Sequence, residues 1–369
     1  MTTLYGTTWS KTDLLSYIGD PAQVAGIRPC ILHDGKAEGV NAAEIHTGSG
    51  LQLTVLPGRG MDIPDARYRG IPLHFSSGTG IVSPAYYEEP GLGWLRSFFA
   101  GLLTTCGITY SGAPDEDQGE VLGLHGRISN AGAENVCVNQ AWQGDEFIIT
   151  VQGMLRESKA MNENMTLTRR IETSLGWKKF ILTDVIENRG FTPQPLMMLY
   201  HFNFGFPLLG PNAKVVAPIL ATEPRNEQAR RDNGVAECLE VPAPIPGYEE
   251  KVFFHDLAAD QDGQTFAALL NADIGDGTPL GIIERFNINQ LPKYTQWKMP
   301  CQGFYVMGLE PGTVTPVGRS TLRQQNALPM LDAHAQYTVE IELEVLDSLA
   351  DFDRIRQEAD RLVETHTAA

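Results

Sequence analysis

Along most of the chain, apolar and polar positions alternate with a period of two, and this pattern predicts strands. The run "GLQLTVLPGRGMDIPDARYRG" alternates and then turns at Pro57-Gly58 and Arg69-Gly70. "EFIITVQGMLRE", "ENMTLTRRIETSLG", "KKFILTDVIENRG" and "AQYTVEIELEVLD" are further period-two or β-branched runs bounded by Gly, Asn or Asp. The stretch "NMTLTRRIETSLGWKKFILTDVIENRG" predicts two long antiparallel strands joined at Leu175-Gly176. Helical spacing is confined to two places. "SLADFDRIRQEADRLVETH" sets Leu349, Phe352, Ile355 and Leu362 on one face, and Ser10 reads as the N-cap of "SKTDLLSYIG".

The strand pattern continues from about residue 25 to 346 without a low-complexity linker or a compositional break. The Pro-rich "VPAPIPGYEEK" (241 to 251) lies between strands and reads as a surface loop. No fixed-period repeat is present, which disfavours a propeller or solenoid. The expectation is all-β: a single domain over residues 1–369, built as one large antiparallel β-sandwich with a short C-terminal helix. Such a sandwich offers a concave sheet face to a ligand.

Composition narrows the partners. The chain has 369 residues, 42% hydrophobic and 20% charged, which is globular composition. A formal net charge of -17, spread without blocks of like charge, would repel a nucleic-acid backbone or an anionic membrane. The five cysteines, Cys30, Cys106, Cys137, Cys238 and Cys301, are widely spaced with no CxxC pair. They make neither a disulfide framework nor a structural zinc site. The N-terminus lacks a basic and apolar leader pattern, and no run of 18 apolar residues occurs, so the expected location is cytoplasmic. The glycines of "GTGIVSP" and "GLGW" do not lead from a strand into a helix and form no dinucleotide fingerprint.

Four segments, "PGRGMDI", "LHGRISN", "YHFNFGFPLL" and "GFYVMGLEPGT", fall in an order that resembles the aldose 1-epimerase (galactose mutarotase-like) superfamily. The DUF4432 branch is the closer likeness, a look that "GWLRSFFAGLLTTCGITYSG" shares. The resemblance implies a supersandwich fold, no cofactor, and a small-molecule carbohydrate as partner, with a homodimer as the assembly to test for. It also implies site residues. The "LHG" segment would supply His125, the "YHFNF" strand His201, and the late "LE" strand Glu310. Two departures stand out. "LHGRISN" places Arg127 where the family has a further glycine, and "PGYEEK" offers Glu249 or Glu250 where the family carries a substrate-gripping aspartate.

In the scheme that the resemblance implies, a carboxylate takes the proton of the anomeric hydroxyl and an acid protonates the ring oxygen. The ring opens, C1–C2 rotates, and closure gives the other anomer. Glu310 is the expected base and His201 the expected acid, since imidazole titrates near neutrality. His125 would polarise the same end of the ring. Arg59, Asp62, His74, Arg127, Asn203, Glu250, Gln296, Trp297 and Lys298 are the expected substrate contacts, with Trp297 as a stacking platform. Each also has a plainer reading: Arg59 and Asp62 as a turn-side ion pair, Trp297 and Trp94 as edge cover, His201 as a core histidine. Two rival functions remain. One is a metal-dependent isomerase or lyase using His74, His125, His201 and Glu310, although no HxH or HExxH spacing is present. The other is a carbohydrate-binding relative without turnover.

Overall fold

The computed structural model describes residues 1–368. Two antiparallel sheets pack face to face. The larger has eleven strands, ten in one order and the short Ile71–Pro72 beside Asp62–Tyr68. Its order runs from the edge strand Ile219–Pro224 through Lys251–Leu257, Lys293–Cys301, Phe304–Gly312, Leu199–Phe204 and Leu103–Cys106 to Asp62–Tyr68. It then continues through Leu51–Leu56 and Asn41–His46 to Gly26–Ile31. The second sheet has eight strands and contains the long hairpin expected from sequence, Asn164–Ser174 against Lys179–Asn188.

Period-two patterning explains the layering. In Lys179–Asn188 every second residue is buried, and Phe180, Leu182 and Ile186 enter the space between the sheets. From the opposite sheet come Leu53, Val55, Ile63, Phe202, Phe204 and Leu309. Each fully buried side chain of this size stabilises the fold by about 1.5–3 kcal/mol before the cost of ordering it. The C-terminal helix, Leu349–Ala368, is twenty residues long, not short, and covers the outer face of the eight-stranded sheet. Phe352, Ile355 and Ala359 are its buried contacts, whereas Leu349 is exposed at its first turn. Ser10 caps the helix Lys11–Leu15 as expected. Residues 242–250 are largely exposed and enter the strand Lys251–Leu257 without forming a strand themselves. Among the described residues no helix is long and apolar enough to cross a membrane.

Between the sheets lies a buried ionic network. Arg169 donates from Nε and Nη2 to the two oxygens of Asp184 at 2.9 and 2.7 Å. It also donates from Nη1 to Thr105 Oγ1 at 2.7 Å, with Asp62 Oδ1 at 3.5 Å. The Tyr200 hydroxyl closes the network on Asp184 at 2.8 Å.

The outer face of the eleven-stranded sheet is roofed by two loops. One contains the short 3-10 turns Pro84–Tyr86 and Gly93–Arg96, and the other runs from Gly123 to Asn130. Under this roof Trp94, Phe98, Cys106 and Leu199 form an apolar cluster, with Trp297, Phe304, Phe75 and Leu124 packed against it.

Candidate active site

Strand parity decides what faces this roofed space. Tyr200, Phe202 and Phe204 point between the sheets, so Leu199, His201 and Asn203 point outward. Phe202 and Phe204 therefore do not flank the His201 imidazole, contrary to what their adjacency in sequence suggests. Its dry surroundings come from Phe98 and Trp297, whose rings lie 5.5 and 5.4 Å from it. The neighbouring strand pairs Phe202 with Leu309 and Leu199 with Gly312, a register that sets Glu310 beside His201. His201 Nε2 and Glu310 Oε1 are 3.2 Å apart. Gly308 makes this possible: a Cβ there would collide with Glu310 Oε1 and lie 3.0 Å from Trp297 Cβ.

His125 arrives from the roof. Its backbone is left-handed, φ 57, followed by Gly126 at φ 74. Only glycine fits at 126, because a Cβ would meet the Tyr110 carbonyl and lie 2.7 Å from that of Gly107. The loop is tied down by His125 N–H donating to the Gly112 carbonyl at 2.9 Å. The imidazole packs 4.9 Å from the Trp94 ring and 5.8 Å from that of His201.

At the solvent side Glu250 completes the group. Its Oε2 accepts from the Trp297 indole N–H at 2.8 Å and its Oε1 from Arg225 Nη2 at 2.7 Å. Arg225 was not visible in the sequence. It follows a proline at the end of an edge strand, in "ATEPRNEQ", where no motif marks it.

His201 is 6% exposed and Glu310 2%. Burial, with His125 adding to it, drives the His201 pKa down to about 3; burial takes His125 to about 4. Burial and the nearby carboxylates of Glu250 and Glu284 hold the Glu310 carboxyl well above the usual range. Against the expectation that His201 titrates near neutrality, desolvation outweighs the hydrogen bonding that would raise its proton affinity. Among the described residues eight buried side-chain polar atoms have no hydrogen-bond partner. Four of them, His125 Nδ1, His201 Nδ1, Asn203 Oδ1 and Glu310 Oε1, belong to this one cluster. Buried polar groups are nearly always paired, so such a concentration is what a ligand site looks like.

Several expected contacts lie elsewhere. Gln296 and Lys298 alternate with Trp297 and face the other side of the sheet. Gln296 binds His255 and the Cys238 carbonyl, and Lys298 donates to the Glu237 carbonyl at 2.5 Å. Asp62 belongs to the Arg169 network and to Thr105. Arg59 is fully buried, donating to the carbonyls of Ser97 at 2.6 Å and Ser129 at 3.2 Å, which fastens together the two roof loops. Arg127 turns away from its neighbour His125 to Glu89, Glu120 and Glu157. His74 rests on the Ala66 backbone, with Asp65 3.5 Å from its Nε2. Asn203 does share the outer face with His201, and its Nδ2 donates to the carbonyls of Ala100 and His201. Among the described residues no three His, Cys, Asp or Glu side chains are grouped to hold a metal ion.

A comparison with the curated proteins gave no match. Among solved structures, a candidate aldose 1-epimerase from Klebsiella pneumoniae is 29% identical, with a TM-score of 0.85, covering 91% of this chain and 87% of its own. A galactose mutarotase-like protein from Clostridium acetobutylicum superposes at a TM-score of 0.61 with 15% identity, over 88% of this chain and all (100%) of its own. A galactose 1-epimerase from Lactobacillus acidophilus NCFM does so at 0.56 with 11% identity, over 88% and 99%. These likenesses establish the galactose mutarotase-like sandwich. The family model described as "Domain of unknown function (DUF4432)" matches residues 37–345, and the chain belongs to that family.

Proposed function

We propose that the protein interconverts the anomers of a sugar by acid/base ring opening, as a cytoplasmic enzyme acting on a small-molecule carbohydrate without a cofactor. The observation behind this reading is the 3.2 Å approach of His201 Nε2 to Glu310 Oε1 beside a second imidazole, in dry surroundings next to Trp297. Proton transfer through one sugar needs an acid and a base within hydrogen-bond reach of neighbouring oxygens. The shared face of two adjacent, rigid strands supplies that spacing.

Glu310 acts as base toward the anomeric hydroxyl and His201 as acid toward the ring oxygen. Burial favours the proton on Glu310 and neutral imidazoles when no sugar is bound. A neutral imidazole with a carboxylic acid and an imidazolium with a carboxylate hold the same single proton. Closing the 3.2 Å approach into a hydrogen bond lets one form convert into the other. Sugar hydroxyls that solvate the carboxylate favour the working form. His125 steadies charge developing at the same end of the ring, and the pyranose C–H face packs on Trp297. Glu250 grips a hydroxyl at the far side.

The test is anomer exchange followed by NMR across a panel of aldoses and sugar acids. His201→Asn keeps a polar group of similar reach but removes the titrating nitrogen. It should lower the exchange rate by roughly 10²-fold or more with the protein still folded. A folded variant with undiminished turnover on the substrate would make His201 a core histidine.

A further inference from the structure

The Glu250 carboxylate stands where the reading above needs a sugar grip, yet it follows an irregular loop and its side chain is 44% exposed. A free carboxylate there would sample many rotamers. It is held by two donors, one to each oxygen: the Trp297 indole from a strand and the Arg225 guanidinium from the bend that follows the edge strand. Arg225 is itself fixed, its backbone N–H donating to the Val252 carbonyl at 2.9 Å as the edge strand ends. Two residues back from Val252, the Glu250 carbonyl is pinned by the Gln228 amide at 3.2 Å. An exposed ion pair alone is worth little. This one differs because its carboxylate also binds the aromatic ring that walls the His201 imidazole.

We propose that Arg225 is a positioning residue of the candidate active site, holding Glu250 against Trp297 so that the carboxylate can bind a sugar hydroxyl. The proposal rests on the anomer-exchange reading for the ligand, but not for the geometry of the clamp. Arg225 also balances charge. The His125 ring lies 5.8 Å from that of His201, the Tyr87 hydroxyl donates to the carbonyl of the next residue, and the charges of Glu250 and Arg225 reach it. Glu250 favours its protonation and Arg225 opposes it. Without Arg225 the Glu250 charge would act on His125 unopposed, and His125 would take up a proton at higher pH.

The experiment uses the full chain with nitrogen-15-labelled tryptophan, the Trp297 indole resonance being assigned by Trp297→Phe. In Arg225→Gln the indole resonance should move, and Arg225→Lys should restore most of its position. Titration with D-glucose, D-galactose and D-mannose should shift this resonance saturably in the wild type for at least one sugar. The midpoint should rise fivefold to tenfold in Arg225→Gln. In turnover, KM should rise by the same factor with kcat within about threefold, and the acid limb of the pH profile should move upward. Arg225→Gln/Glu250→Gln should behave like Glu250→Gln alone, because one residue acts through the other. An unmoved indole resonance, an unchanged midpoint, or additive effects in the double variant would overturn the proposal. If the wild type accelerates no anomer exchange yet binds a sugar with these shifts, the catalytic reading fails and the clamp stands. If no sugar shifts the resonance, the gripping role is refuted as well.

Discussion

Each face of the eleven-stranded sheet lies against a buried polar cluster, the inner one shared with the eight-stranded sheet, and the two are built on different terms. On the inner face Arg169, Asp184, Tyr200 and Thr105 donate and accept at 2.7 to 2.9 Å, Arg169 is fully enclosed, and Asp62 alone of the network keeps an unpartnered oxygen. On the outer face His201, Asn203 and Glu310 are buried and His125 is partly so, and each keeps one buried polar atom without a partner. A buried charge that serves the fold must be matched, since desolvation is otherwise uncompensated. Groups that serve chemistry are left short of partners, and their proton affinities drift far from ordinary values.

The largest expected effect breaks the inner cluster. Arg169→Met leaves Asp184 and Asp62 enclosed without their counter-charge, and stability to urea should fall by about 3–5 kcal/mol. Activity per folded molecule should be retained, so a loss of turnover in the folded fraction would show that the two faces are coupled. A smaller effect sharpens the outer cluster. Gly308→Ala puts a methyl group against Glu310 Oε1 and close to Trp297 Cβ. Anomer exchange should drop about tenfold, near 1.4 kcal/mol of barrier, while urea stability changes by about 1 kcal/mol or less. Unchanged exchange would mean that Glu310 does not need its present position.

The smallest effect is seen in pH dependence. The folded-state pKa of His201 is lowered from 6.5 to about 3, so the unfolded chain binds the extra proton first as pH falls. Stability from this group is therefore present above about pH 6.5 and is lost toward pH 3. Between pH 7 and 5.5 the loss is about 1 kcal/mol. His201→Asn should flatten this part of the stability curve, measured as Tm against pH. An identical slope in the variant would contradict the depressed pKa.

Much of this was legible in the sequence because strands write their layering as period two, and the sandwich follows from it. His125, His201 and Glu310 were legible as ordered motifs, although 185 positions (310 minus 125) separate the first from the last. Glu250 was legible as one of two candidates, and the structure turns it, not Glu249, toward Trp297. The alternation rule should have divided Gln296, Trp297 and Lys298 at once, since consecutive strand residues cannot share a face. Arg59 and Asp62 misled for another reason. A charged pair at a turn reads as exposed, and what encloses Asp62 is Arg169, 107 positions away. Arg225 and the packing of Trp94 over His125 depend on how loops cross the sheet, which no local pattern encodes.

The two halves of the candidate site occupy different parts of the sheet. His201 and Glu310 lie on adjacent interior strands of the sheet, whereas Arg225 and Glu250 belong to its border, where the strand order ends at Ile219–Pro224. Border segments tolerate insertion and replacement better than strands hemmed in on both sides. If the proposed roles hold, ligand preference can drift at the border while the proton-handling pair is inherited unchanged. The architecture separates what can diversify from what must be kept.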